Sequence, residues 1–196
     1  MKIIKLITSA FLLPILICCT TENGKGQQKV VHANQQKAST LSATVKKADS
    51  GDEEEFRKLF TSLKESLKKK NVNNVAPLLN FPFYTSHKEA ANGLGAASDA
   101  ISTTEFNQYK TAIFNADVMR LLPLCKEDNL SEIDDKTDEI YYRSLKKLTD
   151  PGSKMYEAYM QYPESNTQAE SYFGFVFGKV NGKFKTLSTY AKWPVK

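Results

Sequence analysis

Between Ser171 and Trp193 apolar and polar positions alternate, and the alternation is broken at its centre by Asn181-Gly182. Alternation predicts strands, because successive side chains point to opposite faces of a sheet. Asn-Gly predicts the turn that joins them, since both central residues of a type I′ turn need positive φ. A two-residue loop sets the register. Val180 then faces Lys183, and counting outward pairs Lys179 with Phe184, Phe177 with Thr186, Phe175 with Ser188 and Phe173 with Tyr190. One side of the hairpin carries Phe173, Phe175, Phe177, Phe184 and Tyr190. The other carries Tyr172, Val176, Val180, Leu187 and Ala191, with Gly174 and Gly178 between them. The aromatic side must be covered by the remaining apolar segments.

The first cover is a helix. From Glu53 onward Phe56, Leu59, Phe60, Leu63 and Leu67 recur on one helical face, with Glu53, Glu54 and Glu55 at its start and Lys68, Lys69 and Lys70 at its end. Ser50, three before Glu53, offers a capping box. Asn73 to Leu79 predicts a short second helix, and Asn80-Phe81-Pro82-Phe83-Tyr84 an extended exit, because the residue before proline avoids the α region. Ser102-Thr103-Thr104-Glu105 predicts a capping box for a helix bearing Phe106, Tyr109, Ile113 and Phe114; Asp117 to Leu122 predicts a separate turn ended by Pro123. Ile140 to Leu148 reads equally as helix or strand. Met155 to Tyr162 predicts a strand with Tyr156, Ala158, Met160 and Tyr162 on one side.

The polar stretches carry less. Thr20 to Asp52 is rich in Gln, Lys, Ser, Thr, Asn and Gly, without aromatics or period, and reads as a flexible tether. Glu127 to Glu139 is acidic, but a calcium loop starting at Asp128 would have Leu130 at its third position and Ile133 at its sixth, so a solvated loop or cap is expected rather than a metal site.

At the N-terminus, Lys2 and Lys5 precede an apolar run from Leu6 to Ile17 that ends in Cys18-Cys19. The run is shorter than the roughly 20 apolar residues a membrane span needs and fits a secretory signal. Leu16-Ile17-Cys18-Cys19 resembles the lipobox of bacterial lipoproteins, which implies cleavage before Cys19 and acylation of Cys19. The expected organisation is a signal peptide over 1–18, a lipidated tether over 19–52 and one domain over 53–196. The residues after Cys19 carry no acidic run of the kind that resembles surface-export tags, so the expected location is the periplasmic face of the outer membrane, held through the N-terminal lipid. Cys125, among Leu121, Leu122 and Leu124, is then the only free thiol and is expected to be a small buried hydrophobe.

The formal charge of +5 falls to +3 once Lys2 and Lys5 leave, with the basic residues at helix ends and outer strand positions. Nucleic acid is therefore not an expected partner. No phosphate loop, metal-ligand cluster or Ser/His/Asp set is visible, and no cofactor is expected.

The helix bearing Phe56, Phe60, Leu63 and Leu67, the short Val- and Ala-containing helix after it and the Asn-Phe-Pro-Phe exit resemble the opening of NTF2-like (cystatin-like α+β) domains. The resemblance covers about Glu53 to Trp193. It implies an α+β cone: a curved antiparallel sheet closing in a meander, with the N-terminal helices packed on its concave side and a third helix across the mouth. Enzymes of that superfamily use a carboxylate, often with Tyr or His, inside the cone. Here the nearest carboxylate is Glu157, on the side of Tyr159, and no catalytic residue is assigned. The resemblance implies a cone lined by Phe83, Tyr84, Tyr109, Phe114, Phe173, Phe175, Phe177 and Tyr190. Those residues either hold a small apolar ligand or simply fill the core. Two other readings stay open: an interaction domain, dimerising through Tyr172, Val176 and Leu187, and an isomerase- or dehydratase-like enzyme using Glu157.

Overall fold

The computed structural model describes residues 39–87, 94–164, 167–193 and 195. They belong to the second of two compact units, Lys37–Lys196. The signal peptide, Cys19 and the tether up to residue 38 lie outside the described residues, as do the side chains of 39–50.

Helix α1 runs from Ser39 to Lys68, followed by a 3-10 turn at Val72–Leu78. Strands β1 (Leu79–His87) and β2 (Asp99–Ile101) lead to helices α2 (Phe106–Ile113) and α3 (Ala116–Leu121). Strand β3 (Leu130–Ile133), helix α4 (Ile140–Lys146) and strands β4 (Met155–Pro163), β5 (Glu170–Val180) and β6 (Lys183–Ala191) complete the chain. All six strands form one curved, unclosed sheet in the order β2-β1-β6-β5-β4-β3. Its pairs are antiparallel except β1 with β6, which run parallel.

Helix α1 departs from the expected tether. It starts at Ser39 and passes through Ser50, so Ser50 stands inside the helix rather than at its start and residues 39–52 are helical. Ala43, Lys46, Lys47 and Ala48 are good helix formers, which a reading of polarity alone overlooks. Asp52 fastens this part of α1 to the sheet: its carboxylate accepts from the Lys154 amide at 3.1 Å and pairs with Lys179 Nζ at 3.1 Å. The other caps follow the sequence. Ser102 and Glu105 exchange both capping-box bonds, Ser102 N to Glu105 Oε2 at 3.0 Å and Glu105 N to Ser102 Oγ at 3.3 Å. The Asn115 side chain accepts from the Asp117 and Val118 amides and starts α3.

The concave side holds the main core. Phe56 of α1 stacks on Tyr156 at 4.4 Å between ring centroids and tilts against Phe177 at 5.2 Å; Phe60 meets Phe177 edge-on at 5.7 Å. Phe114, at the end of α2, stacks on Phe175 at 5.7 Å. Cys125 is buried here, and burial pushes its thiol up to about 11, so it is an unreactive hydrophobe. The acidic stretch is spent on structure. It supplies β3 and the pairs Glu127 with Arg57, Glu132 with Lys154 and Asp135 with Lys146.

The hairpin turn is as expected: Asn181 and Gly182 both have positive φ, 51° and 75°. The register holds from Val180 opposite Lys183 to Phe177 opposite Thr186, and there it shifts. Val176 faces Ser188, so Leu187 is an extra residue in β6. Beyond this bulge Gly174 faces Tyr190 and Phe173 faces Ala191, where the two-residue loop alone pairs Phe173 with Tyr190. A one-residue slip exchanges faces. Tyr190 thus leaves the concave core for the convex side, and Ala191 takes the opposite path.

Candidate functional site

Of the residues expected to line a cone, Phe83, Phe114, Phe173, Phe175 and Phe177 share the concave core, and Tyr109 packs against it part-buried. Phe173 meets Phe175 at 6.0 Å and Tyr162 at 6.1 Å, while Phe177 and Phe175 make the contacts with α1 and with Phe114 given above. Phe83, Phe173, Phe175 and Phe177 have no exposed surface. Tyr84 and Tyr190 belong to the other cluster. For Tyr84 the reason is alternation, since it follows Phe83 in β1; for Tyr190 it is the bulge at Leu187.

The convex cluster is built beneath α4, which settles the reading of Ile140 to Leu148 as helix. Tyr141 and Leu145 of α4 lie on Val176, Leu187 and Tyr190. Val176 and Leu187, expected as an outer dimer surface, are fully buried there; Tyr172 stays part-exposed.

Within this cluster sits Glu157. In β4 Tyr156 and Ala158 point to the concave core, so Glu157 between them points to the convex side, with Tyr159. Tyr142 of α4 donates its hydroxyl to Glu157 Oε1 at 2.7 Å, and Tyr190 of β6 donates to the same oxygen at 2.8 Å. Three elements therefore converge on one carboxylate oxygen. Further rings surround it. Tyr190 meets Tyr141 edge-on at 5.6 Å and lies 6.4 Å from both Tyr159 and Tyr172, which stack on each other at 6.1 Å. Tyr142 also lines a surface cavity of about 360 Å³ with Asp134, Thr137, Arg143 and Met155.

Burial raises the Glu157 carboxyl above the usual carboxylate range, and the two tyrosine hydroxyls only partly oppose it. Burial together with the Glu157 charge holds the Tyr142 and Tyr190 phenols far above their ordinary value, so both remain protonated donors. Among the described residues no lysine or arginine offsets the burial of Glu157. Among the described residues no group of three His, Cys, Asp or Glu side chains is placed to hold a metal ion.

Reading the sequence finds Glu157 and its neighbour Tyr159 but misses Tyr142 and places Tyr190 in the cone instead of beside Glu157. The open assignment of Ile140 to Leu148 hides the first, and the bulge hides the second. Gly174 is the available signal: a glycine inside an aromatic strand leaves a hole that a neighbouring ring can cover.

No family model matches the sequence, and no curated protein matches it. Solved structures do resemble it. An NTF2-like protein with a cystatin-like fold from Novosphingobium aromaticivorans is 8% identical, over 81% of this chain and 90% of that one, with a TM-score of 0.40. An NTF2-like protein of unknown function from Shewanella oneidensis is 8% identical, over 70% of this chain and 96% of that one, at 0.35. A protein of unknown function with a cystatin-like fold from Nostoc punctiforme is 13% identical, over 71% of this chain and 88% of that one, at 0.34. The strand order, the meander from β3 to β6 and the helices packed on the concave side are read from the chain itself: they make an α+β fold with a curved, unclosed sheet, as the resemblance to NTF2-like, cystatin-like domains implies.

Proposed function

We propose that this chain is a lipid-anchored protein of the bacterial envelope, on the periplasmic face of the outer membrane, whose NTF2-like domain works by binding rather than by catalysis. The observation that carries the binding half is the state of the concave side. The rings that would line an open cone pack on each other and on α1 and α2, and the buried polar side chains among the described residues are serines and threonines. In this reading Phe83, Phe114, Phe173, Phe175 and Phe177 are core, and the contacts of function lie outside the cone. The anchoring half rests on Leu16-Ile17-Cys18-Cys19 behind the basic and apolar start. Several acyl chains at about 0.8 kcal/mol per buried CH₂ hold a chain firmly without a transmembrane span.

The enzyme alternative has one observation in its favour, the raised proton affinity of Glu157. That carboxylate faces away from the cone in which the superfamily's acid–base chemistry is placed.

The test is expression of the full chain in a bacterial host, with fractionation and mass measurement of its N-terminal peptide. A membrane-bound protein with acylated Cys19, released by Cys19→Ser, is the expected result. Soluble protein with an unmodified Cys19 overturns the anchoring, and turnover that depends on Glu157 overturns the non-catalytic reading.

A further inference from the structure

Glu157 is a part-buried carboxylate, and among the described residues no lysine or arginine pairs with it. Both hydrogen bonds it receives fall on Oε1, and among the described residues Oε2 receives none. Three lysines on or beside α4, β4 and β5 are engaged elsewhere. Lys146 of α4 holds Asp135 at 2.7 Å, Lys154 at the start of β4 holds Glu132 at 2.6 Å, and Lys179 of β5 holds Asp52 and Glu55, each at 3.1 Å. A carboxylate taken partly out of water and left unpaired is costly to keep, and neutral hydroxyl donors offset only part of the cost. A merely structural brace between α4 and β6 would be served as well by a glutamine, which pays no desolvation of charge.

The surroundings specify what would complete it. Tyr159 and Tyr172 are part-exposed, nearly parallel at 27° and 6.1 Å apart, and Tyr190 lies 6.4 Å from each. The faces of such rings are electron-rich and attract cations, most of all organic ammonium ions, whose alkyl groups also lose apolar surface to the rings. An anion would be repelled by Glu157 and by the ring faces. A divalent metal would need several hard oxygen or nitrogen ligands, and the described residues place no such group.

We propose that Glu157, with Tyr159, Tyr172 and Tyr190, forms a binding site on the convex face of the sheet for the ammonium group of a small organic amine. The ammonium sits against the tyrosine rings with its charge facing Oε2, and the bonds from Tyr142 and Tyr190 keep the carboxylate aimed. The site lies apart from the cone, on the opposite face of the sheet, and it does not depend on how the chain is anchored.

The experiment is titration of the full chain in detergent micelles, carrying ¹³C-labelled tyrosine, with choline, n-butylammonium and the neutral choline isostere 3,3-dimethylbutan-1-ol. Saturable shifts of the Tyr159, Tyr172 and Tyr190 signals are expected with at least one ammonium probe. The neutral isostere is expected to bind more weakly by about tenfold or more, the scale of a partly desolvated cation–π and charge pair. Choline and n-butylammonium together define an ammonium site open to quaternary groups; n-butylammonium alone confines it to primary amines. Glu157→Gln should weaken the ammonium probe by a similar factor, and Tyr172→Ala, at a part-exposed position, by about two- to tenfold. Equal response to the neutral isostere, an undiminished response in Glu157→Gln and Tyr172→Ala, or no response to any probe overturns the proposal. If Glu157→Gln does not fold, Tyr172→Ala with the charged and neutral probes decides it.

Discussion

Tyr190 lies flat across Gly174. The two are register partners in β5 and β6, and a Cβ on Gly174 would sit 2.3 Å from Tyr190 Cζ and 2.6 Å from its hydroxyl. No real side chain tolerates that approach, so the ring occupies its place only because residue 174 is glycine. The same ring delivers its hydroxyl to Glu157.

Gly174→Ala should therefore act at a distance from its own backbone. The added methyl forces Tyr190 off the strand and costs about 1–3 kcal/mol, as overpacking does. It also removes one of the two donors to Glu157. Urea denaturation should show the lower midpoint, and the Tyr190 ring signal should move while those of Tyr159 and Tyr172 persist.

Glu157 should contribute a component of stability that falls as pH rises. Its folded carboxyl is raised, with burial as the first cause, so the folded state binds this proton more tightly than the unfolded state. The stability it contributes is present below the unfolded value and is lost as pH rises through the raised folded value. The groups facing it, Tyr142 from α4 and Tyr190 from β6, stay protonated throughout that window. Glu157→Gln has no such proton to lose. Compared by urea denaturation between about pH 4 and about pH 8, the variant should gain on the parent as pH rises. A difference independent of pH would contradict this.

Asp150 closes the hairpin from outside. Its carboxylate accepts from the Asn181 amide at 2.9 Å and the Gly182 amide at 2.7 Å, and its own amide donates to Lys179 at 2.7 Å. Asp150→Ala keeps the last bond and loses the first two. A cost of about 1–2 kcal/mol is expected, given the exposure of the turn, read as a lower thermal midpoint.

Much of this was legible beforehand, and the misses share a cause. Asn181-Gly182, the alternation around it and the Ser102–Glu105 box are local signals, and the structure repeats them because nothing tertiary competes. The bulge at Leu187 is not local. It arises where the curved sheet must put Tyr190 over Gly174 and Thr189 opposite Phe175, and an extra residue in β6 does both. Tyr142 was hidden for a related reason: Ile140-Tyr141-Tyr142 suits either period, and only the exposed apolar surface of Val176 and Leu187 requires a helix above it. Asp52 likewise finds its partners, Lys154 and Lys179, more than one hundred residues along the chain, where no local pattern announces them.

That early start has a consequence at Gly51. It stands inside α1, and a Cβ there would meet nothing within 4 Å. Gly51→Ala should stabilise the chain by about 0.5–1 kcal/mol, chiefly by restricting the unfolded state. If residues 39–52 were a tether in solution, the substitution would leave the thermal midpoint unchanged.

The central claim is that Glu157, a part-buried carboxylate that pairs with no lysine or arginine among the described residues, takes its cation from outside. Titration of its side-chain carboxyl by ¹³C NMR, with and without saturating choline or n-butylammonium, tests this directly. The account predicts a midpoint above the ordinary carboxylate range that moves down when the ammonium ion is bound, because the bound cation favours the charged form. A midpoint in the ordinary range, unmoved by either ion, would contradict it.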